Sequence, residues 1–262
     1  MKTSLAVVTY HNVEPIKKLL DSILNFKLFQ TFSMIVVDNS EDQKTFELVQ
    51  SYKNKIPNLE IHKSNGNIGF GKGHNLALEL VDSDIHIICN PDIIFKNEDL
   101  PNFLNKFWKN RNQIGLVVPR CLHLDGRVQY LNKRYQNIWD LFLRRFAPGF
   151  LKNIFKKRMQ KYEYQDVGYD TSYEVEGPSG AFMVTQTSLL RSVGGFDPRY
   201  FMYMEDMDLG REIQKAGYLT MFDPSLEVYH AWERGAYKKL KLLFAFLKST
   251  FQYFNKWGWR FF

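Results

Sequence analysis

Cysteine is nearly absent from this chain of 262 residues: only Cys89 and Cys121 occur, with no CxxC pair. That excludes a disulfide framework and fits two buried thiols in a reducing compartment. Long apolar runs are missing as well. No stretch of 18 apolar residues occurs, so no segment is expected to cross a bilayer as a single helix. Ser4–Val8 is too short for the apolar part of a signal peptide, and the expectation is a cytosolic protein. The chain has no internal repeat, no low-complexity segment and no Ser-His-Asp or reactive-cysteine pattern, which points away from covalent nucleophilic catalysis.

Aromatic side chains and positive charge are abundant, at 16% and a net +7. The charge is uneven. Residues 133–161 carry +8 and residues 231–262 carry +6, which leaves the rest of the chain at −7. Two basic, aromatic-rich segments therefore sit on an acidic globule, and the pI of about 9.2 is no argument for a uniformly basic nucleic-acid binder. No nucleic-acid partner is expected.

Over the first 120 residues, short apolar runs alternate with helical patterns. Strands are expected at Leu5–Val8, Met34–Val37, Leu59–His62, Ile85–Cys89 and Ile114–Val118. Helices are expected near 14–25, 43–54, 72–82 and 98–109. Such alternation predicts an α/β fold, a mostly parallel sheet covered by helices on both faces. Ligands of these sheets bind beyond the carboxyl ends of the strands. The residues there are Thr9-Tyr10, Asp38-Asn39-Ser40, the loop from Asn65 to Gly69, and Asn90-Pro91-Asp92. A strand is read at Arg127–Tyr130, then a long aperiodic excursion over 133–172. Beyond it follow a turn at Gly177–Gly180, a strand at Ala181–Val184, a helix at 187–193, an acidic helix from Asp206 to Ala216, and strands near 218–222 and 226–229.

Chemistry concentrates in three places. Glu205, Asp206 and Asp208 crowd one helical turn, where the helix dipole favours negative charge but the acids raise one another's pKa. This is either an acidic helix cap or a proton acceptor. Asp92 ends the most apolar strand, either capping a Pro turn or holding a divalent cation against a diphosphate. His230 ends the run Val228-Tyr229, as a packed histidine or a ligand. The stretch Gly66–Gly73 lies between a strand and a helix, where backbone N–H groups can face a phosphate. It is one residue away from a Walker A motif, because Gly73 stands where Ser or Thr should ligate Mg2+, and Leu76 stands where a dinucleotide fingerprint needs glycine.

In order, Val7-Val8-Thr9-Tyr10, Val36–Ser40, Asn67–Asn75, Asn90-Pro91-Asp92, Gly180–Met183, Gly194–Asp197, Glu205–Leu209 and Val228–His230 resemble the family-2 glycosyltransferases of the GT-A fold, especially their bacterial rhamnosyltransferase-like branch. The resemblance covers about residues 3–232. It implies donor contacts from Thr9, Tyr10, Asp38, Asn67, Gly69, Phe70, Asn75 and Asn90, a metal site at Asp92 and His230 for Mg2+ or Mn2+, and a base at Asp206 beside Glu205. It places Gly180, Asp208 and Trp232 toward the acceptor. Asn90 stands where the family's Asp-x-Asp motif has its first carboxylate. The expected activity is inverting transfer of a sugar from a nucleoside-diphosphate donor, dTDP-rhamnose favoured, to a saccharide acceptor carried on a lipid. A UDP-hexose transferase or a non-catalytic nucleotide or nucleic-acid binder is the alternative.

The division expected is a catalytic domain over 1–235, with a nucleotide-sugar half at 1–120 and an acceptor half at 121–235, and an amphipathic helix over 236–262. Helical spacing puts Leu240, Leu243, Phe244, Leu247, Phe251 and Phe254 on one face of that helix. Lys241, Lys248, Gln252, Asn255 and Lys256 fall on the other. This is the pattern of a helix lying on an anionic membrane surface at the inner face of the cell membrane, with Phe142–Lys161 beside it. The same pattern suits a helix packed on the domain or on a second copy in a homodimer.

Overall fold

The computed structural model describes residues 1–231 and 240–262. Trp232, expected at the acceptor, lies outside the described residues.

Among the described residues, nine strands form one sheet: β1 Thr3–Thr9, β2 Ser33–Asp38, β3 Leu59–Lys63, β4 Ile85–Cys89, β5 Ile93–Ile94, β6 Ile114–Leu122, β7 Tyr173–Glu174, β8 Phe182–Gln186 and β9 Leu219–His230. Their order is β3-β2-β1-β4-β8-β6-β9-β5, with β7 on β9. The first four are parallel, whereas β8 runs antiparallel between β4 and β6. Every residue of β1 and β4 is buried. Successive residues serve opposite cores, Leu5 and Val7 in one and Ala6 and Val8 in the other, as the two-residue period of a strand requires. The chain winds outward from β1 through β2 to β3, then returns to place β4 on the other side of β1. That reversal opens a crevice at the carboxyl ends of β1 and β4, the usual ligand position in such sheets.

The helices are α1 Val13–Asn25, α2 Lys44–Ser51, α3 Phe70–Leu80, α4 Leu100–Lys109, α5 Ile138–Arg145, α6 Gly149–Ile154, α7 Lys156–Tyr162, α8 Thr187–Ser192, α9 Glu205–Lys215 and α10 Leu240–Trp257. Their apolar faces cover the sheet; α1, for example, buries Ile16, Leu19, Leu20 and Ile23.

Three expectations change. Residues 127–130 form no strand and make one isolated bridge, Leu122 to Val128. The strands read near 218–222 and 226–229 are one strand, β9, whose pairing with β6 slips between Pro119 and Arg120. The slip lets the strand pass Pro224, which cannot donate to a regular ladder. The stretch 133–172 is no aperiodic excursion, because α5, α6 and α7 fall within it.

Helix α10 packs on the domain, with its faces divided differently from the expectation. Phe246, Ser249, Tyr253 and Phe254 are buried. They form a cluster with Leu141, Tyr200, Met204 and Met207. Lys256, assigned to the polar outer face, turns inward and bonds Asp208 at 2.8 Å. Leu240, Phe244, Leu247 and Phe251 are exposed instead.

Candidate active site

The crevice edge at β1 and β2 is a network around Asp38. Thr9 pairs with Asp38 across the two strand ends, and the Thr9 hydroxyl donates to Asp38 Oδ1 at 3.0 Å. The backbone N–H of Ser40 donates to the same oxygen at 3.1 Å. The carboxylate is buried, and its Oδ2 makes no hydrogen bond. Lys63 Nζ lies 3.8 Å from that oxygen, an ion pair without a hydrogen bond, so Oδ2 keeps acceptor capacity for a ligand donor. Tyr10 is exposed beside it, its ring edge-on to that of His11.

The glycine-rich loop fits tight packing better than a phosphate cradle. Asn67 Oδ1 accepts the Gly69 N–H at 3.1 Å, and the Phe201 carbonyl accepts the Phe70 N–H. Those two N–H groups are therefore not available to a phosphate. Gly69 has φ +89°, and a Cβ there would lie 2.4 Å from the Phe201 oxygen; only glycine satisfies both conditions. Two expected donor residues are spent on the same packing. Asn75 bonds both backbone groups of Phe196, donating to its carbonyl at 2.7 Å and accepting its N–H at 2.8 Å. The Phe70 ring packs against His74 and Phe196.

Beyond β4, the chain turns through Asn90, Pro91 and Asp92 into β5. Ile93 pairs with His230 of β9, and the Ala231 N–H donates to the Asp92 carbonyl. That register brings Asp92 Oδ1 within 3.2 Å of His230 Nε2. Gln129, which sequence reasoning missed, fixes the ring. Its Nε2 donates to the His230 carbonyl at 2.7 Å, so its Oε1 is the atom that accepts from His230 Nδ1 at 2.9 Å. With Nδ1 donating to Gln129, the ring presents its Nε2 edge to the Asp92 carboxylate. A cation between the two satisfies both, and a histidine held from behind by an amide is a usual metal-ligand arrangement. Among the described residues no cluster of three or more His, Cys, Asp or Glu could hold a metal. The remaining ligands would come from water and diphosphate oxygens, as Mg2+ commonly arranges.

Asp206 opens α9 on the far wall. The Gly180 N–H donates to its Oδ2 at 3.0 Å, and the Met207 N–H to its Oδ1 at 2.8 Å. A Cβ on Gly180 would sit 3.1 Å from the Asp206 Cβ, so Gly180, expected at the acceptor, is the residue that seats Asp206. Tyr203 and Met204 just before α9 both adopt left-handed backbone, with φ +72° and +67°. Non-glycine residues hold such angles at about 1–3 kcal/mol each, when the surroundings impose them. Helix α10 does so here. Phe246 packs edge-on to Tyr203, and Ser249 donates to the Met202 carbonyl at 2.9 Å.

Burial raises the pKa of Asp206, partly offset by its two backbone N–H bonds and by Arg144. Glu205 is buried with one oxygen unbonded, and burial first, Asp206 second, push its pKa up. Asp208 is not an acceptor contact. It receives Lys256 Nζ at 2.8 Å, Trp257 Nε1 at 2.7 Å and the Tyr200 hydroxyl at 3.3 Å. A cavity of about 540 Å3 opens onto Glu205 and Asp206, with Lys133, Arg144 and Phe246 among its walls. Neither basic residue stood out from the charge of the 133–161 run.

A mixed, mostly parallel sheet with carboxylates and a histidine gathered at its strand ends is the architecture of the GT-A-fold glycosyltransferases. The chain belongs to glycosyl transferase family 2, whose model matches residues 4–175. It is 28% identical over 260 residues to the rhamnosyltransferase WbbL of Escherichia coli (strain K12), covering 95% of this chain and 91% of that one. It is 26% identical over 240 residues to the N-acetylglucosaminyl-diphospho-decaprenol L-rhamnosyltransferase of Mycobacterium tuberculosis, covering 86% and 75% of the two chains. Among solved structures, the mannosyltransferase PcManGT of Pyrobaculum calidifontis, in complex with GDP-Man and Mn2+, superposes with TM-score 0.62 at 19% identity over 90% of this chain. GalNAc-T7 with UDP, GalNAc and Mn2+ gives 0.67 at 13% identity over 89%. The chain spans 58% and 44% of those two proteins.

The raised Glu205 pKa predicts a pH-dependent stability. A carboxyl whose folded pKa lies above its unfolded one favours the fold while protonated, and that contribution is lost as pH rises through the folded pKa. Glu205→Gln is therefore expected to raise the melting temperature at about pH 8 and change it little at about pH 5. Thermal unfolding at both pH values checks this; an equal effect at both would place Glu205 in an ordinary ionised state.

Proposed function

We propose that this glycosyltransferase moves L-rhamnose from a deoxythymidine-diphosphate donor, with inversion, to a saccharide carried on a polyisoprenoid diphosphate. The observation that carries the reading is the set formed by Asp206, seated by two backbone N–H groups, by Asp92 beside His230, and by the Asp38 carboxylate at the end of β2. Asp38 Oδ2 matches the ring N3–H that thymine and uracil share. The preference for rhamnose and for a diphosphate-linked acceptor rests on the two rhamnosyltransferases that this chain is similar to. A UDP-hexose donor is the second reading, since Asp38 serves uracil equally.

Asp206 takes the proton of the acceptor hydroxyl as that oxygen attacks the anomeric carbon. The bond to the donor diphosphate breaks, and its electron pair leaves with the diphosphate. Gly180 and Met207 keep the carboxylate aimed during the transfer. A divalent cation, Mg2+ or Mn2+, when bound at Asp92 and His230 supplies positive charge to the departing diphosphate.

The outer face of α10 supports a location at a membrane. Among the described residues no helix is long and apolar enough to cross one. Yet Leu240, Phe244, Leu247 and Phe251 are exposed on α10, and Phe150 and Ile154 on α6. Lys152, Lys156, Lys157, Lys241 and Lys248 are exposed around them. Exposed apolar side chains together with exposed lysines fit an anionic lipid surface, which supports action at the inner face of the cell membrane.

Thermal shift tests the donor site. Nucleotide with Mn2+ or Mg2+ at 100 times its dissociation constant is expected to stabilise the protein by about 2.7 kcal/mol. dTDP and UDP should do this, and GDP should not. Asp92→Ala and His230→Ala should each remove the cation-dependent part. A melting point that no nucleotide moves would contradict the proposal.

Liposomes test the surface. Phe244→Glu combined with Phe251→Glu is expected to abolish sedimentation with anionic vesicles at low salt while leaving the melting temperature within about 2 °C, because both rings are exposed. Undiminished sedimentation, or a loss of dimers with lipid binding intact, would assign the face to another role.

A further inference from the structure

The cavity beside Asp206 is more than a slot for a sugar. At about 540 Å3 it exceeds what one pyranose fills, and its far wall is built from α5 and α10. That wall is basic near the base and apolar farther out. Lys133, Arg144 and Arg145 line it together with Leu141, Tyr203 and Phe246. Arg145 stacks on Phe246 with its guanidinium carbon 4.5 Å from the ring centre. Arg144 is near enough to act on both Asp206 and Lys133. The Lys133 side chain is 6% exposed and reaches Glu163 at 3.3 Å.

Lys133, Arg144 and Arg145 gather around Glu205 and Asp206 in this cavity, with Glu163 paired to Lys133 at 3.3 Å. Burial raises the pKa of both cavity acids, which weakens the negative charge that faces the cations. Burial and Arg144 lower the Lys133 pKa to about 7, so an anion entering the cavity would restore its charge. A diphosphate diester carries two negative charges and offers oxygens in the planar geometry that guanidinium groups pair with.

The apolar wall continues outward. The Ile138 N–H at the start of α5 donates to the Arg260 carbonyl, and the Trp139 N–H to the Phe261 carbonyl. Arg145 at the end of α5 meets Phe246 near the start of α10. The two helices therefore lie antiparallel, side by side. Phe142 on α5 and Phe146 just beyond it are exposed, as Phe244 and Phe251 are on α10. A chain leaving the basic wall meets this surface.

We propose that Lys133, Arg144 and Arg145 form a subsite for the diphosphate of a polyisoprenoid-diphosphate acceptor, with Leu141 and Phe246 holding its first isoprene units. The subsite rests on the lipid-diphosphate acceptor proposed above and assigns residues to it. Its position accords with the chemistry, because the diphosphate is joined to the acceptor sugar at one carbon while Asp206 must reach a hydroxyl on another. The cations thus belong on the side of the ring away from the departing donor diphosphate. They discriminate acceptors and leave the donor site untouched.

Calorimetric titration of the full chain saturated with dTDP and Mn2+ tests this, since the donor's own diphosphate position is then filled. Farnesyl diphosphate is the probe, with farnesyl monophosphate, farnesol and inorganic pyrophosphate as comparisons. Farnesyl diphosphate is expected to bind about tenfold or more tightly than farnesol or inorganic pyrophosphate. Farnesyl monophosphate should fall between. Arg144→Gln and Arg145→Gln should each weaken farnesyl diphosphate by about tenfold while dTDP affinity stays unchanged. Equal affinities for farnesyl diphosphate and farnesol would overturn the subsite and leave the donor reading standing. So would full farnesyl diphosphate affinity in both variants. Failure of dTDP to bind the wild-type protein would overturn the donor reading itself; titration of the nucleotide-free protein then decides the subsite by the same ratios.

Discussion

The buried carboxylate of Asp208 ties the catalytic end of this molecule together. It lies one helical turn from the strained Tyr203–Met204 backbone and receives Lys256, Trp257 and Tyr200. Removing one partner of such a buried pair leaves an uncompensated charge, which typically costs about 3–5 kcal/mol. Through this contact α10, which follows β9 in the chain, is locked onto α9. Phe246 and Ser249 then hold residues 202–204 in left-handed geometry. The orientation of Asp206 is a consequence of packing that reaches the end of the chain.

The sheet supplies the opposite wall by register alone. Parallel pairing of β1 with β2 puts Thr9 against Asp38. Antiparallel pairing of β5 with β9 puts Ile93 against His230, and hence Asp92 beside the imidazole. A slip of one residue in either ladder would turn these side chains to the other face. Asp206 is different in kind. It sits where burial raises the pKa of two adjacent acids, and its aim comes from two backbone N–H groups and a glycine that admits them.

Much of this was legible in the sequence because it is local. Strands with continuous apolar runs announce a sheet covered on both faces, and polar residues at the strand ends announce a crevice. Asp38, Asp92, Asp206 and His230 each stood at such a boundary. Roles set by distant partners were not legible. Asn75 and Phe70 lie in a motif, but their partner Phe196 is more than a hundred residues away. Asp208 was expected toward the acceptor, and its partner Lys256 lies 48 residues away. Gln129 had no signal beyond a polar residue in a short β-rich run, and its task exists only once β9 passes alongside. Helix α10 misled by its own periodicity: the more apolar face was expected to define its role, yet a narrower stripe with a serine and a lysine is what packs on the domain. The helices α5 to α7 were hidden because each is short; α5 packs Leu141 against α10 rather than the sheet, and α6 buries no residue.

The most direct test of the central claim, that Asp206 is the proton acceptor of an inverting transfer, is Asp206→Asn. This change keeps the shape and the contact with Gly180 but removes the basic oxygen. Turnover of sugar from dTDP-rhamnose to acceptor, measured as acceptor-dependent release of dTDP, should fall by about 10²-fold or more, with dTDP affinity retained. Near-normal turnover in Asp206→Asn would contradict the account and move the proton transfer to another group.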